Sequence, residues 1–179
     1  MSCNKDRTLA ATITRTASKQ TYYTIRLLVD RCLAEDAYRA YAYFRWVDDW
    51  LDQEPRPRTE RLAFVKRQQA LIDGCARNDL LADLTPEECL LADLIERHTE
   101  KNSGLHTYIR NMMAVMAFDA GRRGRIISQR ELNQYTHSLA VAVTEALHYF
   151  IGHNCAAPHG ELRYMAVSGA HITICCAMR

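Results

Sequence analysis

From Met1 to Glu54 the chain contains neither glycine nor proline. These are the residues that most readily interrupt a helix, proline through its missing N–H and ring clash, glycine through its backbone entropy. A run of that length can hold two or three helices before Pro55 and Pro57 close it. Breakers stay scarce beyond it, with four Pro and seven Gly among 179 residues. No segment shows the alternation of a half-buried strand.

Two later helix starts carry capping boxes. Thr85, Pro86, Glu87 and Glu88 supply an N-cap hydroxyl, a proline at the first helical position and a glutamate at the third. Ser128 and Glu131 repeat the device ahead of Leu132, Tyr135, Leu139, Ala142, Val143, Ala146, Leu147 and Phe150, which follow helical spacing up to a stop at Gly152. The pattern predicts helices near 6–16, 19–29, 31–53, 58–77, 86–100, 104–120, 129–151 and 160–178, an all-α chain forming a single domain over 1–179.

Composition narrows the class. With 48% hydrophobic and 25% charged residues the chain has a globular balance, and no apolar run of about 18 residues offers a spanning helix. The N-terminus lacks the apolar core of a secretory signal. A net charge of +2 gives no reason to expect a nucleic-acid partner. Nineteen of the 23 basic residues are Arg, the residue suited to planar recognition of carboxylate and phosphate. The seven cysteines, Cys3, Cys32, Cys75, Cys89, Cys155, Cys175 and Cys176, contain no C-x-x-C pair. They point to a reduced, cytoplasmic setting. His148 and His153, five apart, read as structural or surface residues.

The segment Arg31 to Gln53 carries the chemistry. Leu33, Ala37, Ala40, Phe44, Val47 and Leu51 make a core stripe at helical spacing. One residue round, a polar stripe reads Tyr41, Arg45, Asp48 and Asp52, with Asp49 beside it. Asp48 and Asp52 are one turn apart and repel, so a fold that keeps them on one face needs a cation. Hard oxygen ligands without nearby His or Cys suit Mg²⁺. Arg45 can pair with Asp48 or donate to a phosphate oxygen. A solvated acidic patch is the plainer reading of a bare Asp-Asp-x-x-Asp.

The run Tyr41, Ala42, Tyr43, Phe44, Arg45, Trp46, Val47, Asp48, Asp49, Trp50, Leu51, Asp52 resembles the first aspartate-rich motif of the squalene/phytoene synthase family, Tyr-Ala-x-x-Arg-x-x-Asp-x-x-x-Asp. Upstream, Ser18 to Tyr23 is similar to the family's Ser-rich segment ending in an aromatic. Downstream, Met116 to Asp119 resembles its Met-x-x-Asp helix. Glu131, Leu132 and Tyr135, followed by Ala140, Val141 and Val143, resemble its Glu-Leu-x-x-Tyr segment and small-residue helix.

The resemblance implies a helical bundle of the isoprenoid synthase type and a Mg²⁺-dependent head-to-head prenyl transferase. Two farnesyl or geranylgeranyl diphosphates would join through a cyclopropyl intermediate to give squalene, phytoene or a relative, with NADPH used where squalene forms. By the same resemblance Asp48 and Asp52, with Asp49 as adjunct, would hold Mg²⁺. Arg45, Ser18, Thr21 and Tyr41 would contact diphosphate, while Tyr22, Tyr135, Leu139 and Val143 would bind substrate. Core packing is the simpler reading of Tyr22, Leu139 and Val143.

Gly169 to Arg179 aligns with the start of the family's second motif, Gly-x-x-x-Gln-x-x-Asn-x-x-Arg-Asp-x-x-x-Asp, with Thr173 in place of Gln and Cys176 in place of Asn. Arg179 stands one residue before the first aspartate. The resemblance therefore implies a bundle incomplete at its C-terminus, and a 179-residue chain inactive or nearly so by itself. A terpene cyclase or head-to-tail elongase also uses Asp-Asp-x-x-Asp, but the Tyr-Ala-x-x-Arg lead-in argues against both. A non-catalytic relative acting in assembly is the remaining alternative, favoured by Thr173 and Cys176.

Arg122, Arg123, Gly124 and Arg125 form a short basic cluster. It suits contact with diphosphate or peripheral contact with an anionic membrane, and a solvated loop is the plainer reading. Met112, Met113, Met116 and Phe118 read as core or cavity lining, and adjacent Cys175 and Cys176 as small buried residues.

Overall fold

The computed structural model describes residues 3–77, 79, 83–98, 100, 103–151 and 160–177. Among the described residues lie eight α-helices and no strand: α1 Cys3–Ala17, α2 Lys19–Leu28, α3 Ala34–Asp52, α4 Arg58–Arg77, α5 Pro86–Arg97, α6 Gly104–Arg122, α7 Gln129–Ile151 and α8 Gly160–Ala177. The all-α expectation holds. The helices divide into two compact units, Met1–Thr99 and Glu100–Arg179.

In the first unit α3 is central. Ala37, Ala40, Phe44, Val47 and Leu51 are buried as their spacing requires, each large one contributing about 1.5–3 kcal/mol by leaving water. Small residues let neighbours approach closely: Ala42 meets Ala10 of α1 and Leu90 of α5, with Ile13 and Tyr38 against them. α4 runs antiparallel to α3, bringing Gln68 to Tyr43 and Phe64 to Trp46 and Trp50. A buried polar chain ties α3, α4 and α5. Tyr43 donates to Gln68 at 2.9 Å, Gln68 donates to Glu88 at 2.8 Å, and Arg67 grips Glu88 with two bonds of 2.7 Å.

Helix boundaries follow local chemistry, except that α1 begins at Cys3 rather than 6 and that α3 and α5 are shorter than expected. The Thr85–Glu88 capping box is present in full. α3, expected from residue 31, starts at Ala34 because Leu33 N–H closes a turn on the Asp30 carbonyl at 2.9 Å and Leu33 brings no capping side chain. α5, expected to reach 100, stops at Arg97. His98 leaves the helical region, and its Nε2 lies 2.9 Å from Asp36 of α3, a tertiary contact that outbids one more helical residue.

In the second unit α6, α7 and α8 pack as antiparallel neighbours. Gly104 lies beside Glu145 and Tyr149, and Asp119 meets Tyr135; Arg163 pairs with Glu145 at 2.5 Å, and His171 approaches His137. Ser128 and Glu131 exchange the two capping bonds expected of them, at 2.8 and 3.3 Å. The buried face of α7 is displaced from the anticipated one. Thr136, Ala140 and Thr144 are buried, while Val143 and Leu147 are 40% and 50% exposed and Leu139 is half-buried. Ala142 and Phe150 are buried as their spacing requires, but alongside them small residues pack the helix while Leu139, Val143 and Leu147 lie toward the border. Gly152, His153 and Cys155 lie outside the described residues, as do the side chains of Cys175 and Cys176.

Candidate functional site

α3 presents two stripes because 3.6 residues make a turn. With the apolar one fixed in the core, Tyr41, Arg45 and Asp48 fall at its border, half-buried, and Asp49 and Asp52 are exposed. The Asp48 side chain is 37% accessible and that of Asp49 49%. Arg45 donates from Nε to Asp49 at 3.1 Å and from Nη1 to Asp48 at 3.4 Å, and its Nη2 also bonds Asp49. The bond to Asp49 raises the guanidinium's pKa further, against partial burial and with help from the charge of Asp48.

The position of these acids on α3 is costly in two ways. They repel one another, and they crowd the helix C-terminus, whose last turn holds no basic residue. Exposed carbonyls give that end partial negative charge, so each acid there is disfavoured by roughly 0.3–1 kcal/mol. Arg45 bonds Asp48 and Asp49 from within the same helix. No three His, Cys, Asp or Glu side chains among the described residues converge enough to hold an ion unaided. Asp48 and Asp52 nevertheless match the donor set of Mg²⁺, which takes one or two carboxylates and completes its shell with water and substrate phosphate.

Ser18 and Thr21 meet one another at the start of α2. Ser18 is the N-cap: its hydroxyl oxygen accepts from the Thr21 N–H at 3.1 Å and from the Thr21 hydroxyl at 2.9 Å. These bonds hold both hydroxyls at the helix entrance. Tyr22 follows, stacked on Tyr38 with ring centres 5.4 Å apart, edge-on to Tyr23, and with Arg15 over its face at 5.8 Å. The Tyr38 hydroxyl donates to the Tyr22 carbonyl at 3.2 Å, which ties α2 to α3.

Tyr135, Leu139 and Val143 belong to the second unit and lie along one side of α7 at four-residue steps. The Tyr135 hydroxyl donates to Asp119 of α6 at 3.3 Å, and its ring lies against Phe118. Asp119 also accepts from Arg122, whose guanidinium lies 5.8 Å from the Tyr135 ring centre. Sequence reasoning placed Asp119 in a motif but gave it no role at Tyr135. The two are 16 residues apart, and only the antiparallel pairing of α6 and α7 brings them together.

The family model for squalene/phytoene synthase matches residues 14–168. No curated protein and no solved structure matches the chain. The matched stretch contains the Ser18 cap, the whole polar stripe of α3, the Asp119–Tyr135 pair and the border residues of α7, and on that span the chain belongs to the squalene/phytoene synthase family.

Proposed function

We propose that this protein joins two prenyl diphosphates of farnesyl or geranylgeranyl type head to head, releasing diphosphate and giving squalene, phytoene or a related hydrocarbon. One observation carries the reading beyond family membership. Asp48, Asp49 and Asp52 gather at a helix end that disfavours them, with no base in the last turn, an arrangement that a divalent cation would relieve.

In this reading Asp48 and Asp52, with Asp49 beside them, hold Mg²⁺, which when bound neutralises charge on the leaving diphosphate. Arg45 turns from its exposed partners to donate to a phosphate oxygen. Ser18, Thr21 and Tyr41 offer hydroxyls to the same group. The allylic C–O bond breaks and its electron pair leaves with diphosphate. The double bond of the second chain then attacks the cation, and proton loss closes a cyclopropane that still bears the second diphosphate. That diphosphate leaves in turn, and rearrangement of the cation would end in proton loss for phytoene or in hydride supplied by NADPH for squalene. Tyr22, Tyr135, Leu139 and Val143 offer apolar contact to the prenyl chains, keeping water from the cation. The partial exposure of Leu139 and Val143 supports this over plain core packing. Both units are taken as parts of one isoprenoid synthase-like domain.

Incubation with farnesyl or geranylgeranyl diphosphate and Mg²⁺, with and without NADPH, tests the proposal by product mass. A hydrocarbon with twice the substrate's carbon count supports it and overturns the expectation that the 179-residue chain is inactive by itself; a cyclic product from a single substrate overturns the proposal.

A second reading, a non-catalytic relative acting in assembly, is favoured by the bonds from Arg45 to Asp48 and Asp49, which partly compensate the acids within the chain. Calorimetry with a non-hydrolysable farnesyl diphosphate analogue and Mg²⁺ separates the two. Absence of metal-dependent binding selects the non-catalytic protein.

A further inference from the structure

We propose that the loop between α6 and α7 docks on an anionic lipid surface, inserting Ile126 while Arg123, Arg125 and Arg130 meet the headgroups. The loop has defined local geometry. The Arg125 N–H donates to the Arg122 carbonyl at 3.1 Å, and Arg123 at φ −57°, ψ 129° is followed by Gly124 at φ +79°. These are the angles of a type II turn, which wants glycine at its third position. The turn delivers the chain straight to Ile126, whose side chain is 97% exposed. Among the described large hydrophobic residues none is more exposed.

Charge is concentrated around that side chain. Residues 119–131 hold four Arg against Asp119 and Glu131, a local excess of +2 that equals the formal net charge of the whole chain. Arg122 pairs with Asp119 and Arg125 with Glu131, the latter at 2.6 Å, so the acids steady the loop. A free phosphate or diphosphate would gain nothing from a protruding isoleucine. A bilayer would, because an aliphatic side chain enters the acyl boundary while flanking cations stay among anionic headgroups. Contact made by one aliphatic side chain and a few cations is peripheral and reversible.

Sedimentation of the full chain with vesicles tests it. Vesicles of phosphatidylcholine mixed in equal parts with phosphatidylglycerol should bind about tenfold more tightly than phosphatidylcholine alone, with the preference shrinking as salt rises. Ile126→Ser should lower binding by about tenfold, as expected for withdrawing one aliphatic side chain from an apolar phase. Arg123→Gln with Arg130→Gln should narrow the preference for anionic vesicles. Leu27→Ser, at an exposed site on α2, should change nothing. Far-UV circular dichroism confirms that each variant keeps its helices. Equal binding to both vesicles, or unaltered binding by Ile126→Ser, overturns the proposal. So does release by inorganic diphosphate at an ionic strength where sodium chloride has no effect, which would make the loop a diphosphate site.

Discussion

The guanidinium of Arg45 is committed chiefly to Asp49, four residues on, with its Nε 3.1 Å from Oδ2, and reaches Asp48 only through Nη1 at 3.4 Å. Both pairs are partly open to water, where such contacts contribute about 0–1 kcal/mol. Exchanging them for a substrate phosphate therefore costs little. The cation can serve as a resting partner of the acids and still be available for phosphate recognition.

Asp48→Asn and Asp52→Asn should each lower kcat/KM with farnesyl diphosphate and Mg²⁺ by about 10²-fold or more, the scale of losing one stabiliser of developing charge. The melting temperature should move by no more than about 2 °C, because Asp48 lies at the border of the core and Asp52 at the surface. Turnover and thermal denaturation of the same preparations check both halves. A large drop in melting temperature beside unchanged turnover would make these residues structural.

Glu88 should matter to stability alone. Its carboxylate is buried and accepts from Arg67, Gln68 and the Thr85 N–H. Glu88→Ala strips the acceptor from buried Gln68 and undoes the capping box. A cost of about 3 kcal/mol is expected from these losses, visible as a melting temperature about 10 °C lower.

Acid should destabilise the protein through two carboxylates. Burial by itself would raise the Glu88 pKa, but bonds from Arg67, the Thr85 backbone and Gln68 outweigh it and hold it below the ordinary 4.5. Arg125, followed by the Ser128 backbone and hydroxyl, brings Glu131 down to about 2. A carboxylate depressed in the folded state stabilises it fully above the unfolded value, and that contribution is lost as pH falls through the folded one. Melting temperature should therefore decline from about pH 4.5 toward 2, and Glu131→Gln should show a shallower decline over that window.

Most helices were legible because caps and periodicity act locally. Thr85 to Glu88 specified the start of α5, and the breaker-free run specified α1 to α3. What escaped depends on partners remote in sequence. His98 ends α5 early through Asp36, 62 residues away. The Asp119–Tyr135 bond has no spacing signature. On α7 the spacing finds buried Ala142 and Phe150 but not Thr136 and Thr144, because hydrophobicity ranks Val143 and Leu147 above them, whereas close helix contact favours small side chains. Ser18, which the resemblance assigns to diphosphate contact, is also the N-cap of α2, a role the sequence analysis did not assign it. The Arg45–Asp48 pair that the three-residue spacing allows is present at 3.4 Å, and the four-residue step to Asp49 adds a second partner that the spacing argument had not named.

Two helical glycines should respond to alanine with opposite signs. At either, alanine gains up to about 1 kcal/mol of helix propensity. Near the end of α4 a Cβ on Gly74 would run into the carbonyl oxygen of Asp79, where the chain folds back and the Asp79 N–H bonds the Gly74 carbonyl at 2.9 Å. The obstructing atom is backbone, so relief requires moving the chain, and overpacking of this kind costs about 1–3 kcal/mol. Near the end of α6 a Cβ on Gly121 would meet nothing within 4 Å. Gly74→Ala should therefore lower the melting temperature by several degrees, on the order of 2–4 °C per kcal/mol, while Gly121→Ala should leave it unchanged or raise it slightly. Parallel thermal denaturation of the two variants decides the matter, and a stabilised Gly74→Ala would show that the chain does not fold back over α4 at that point.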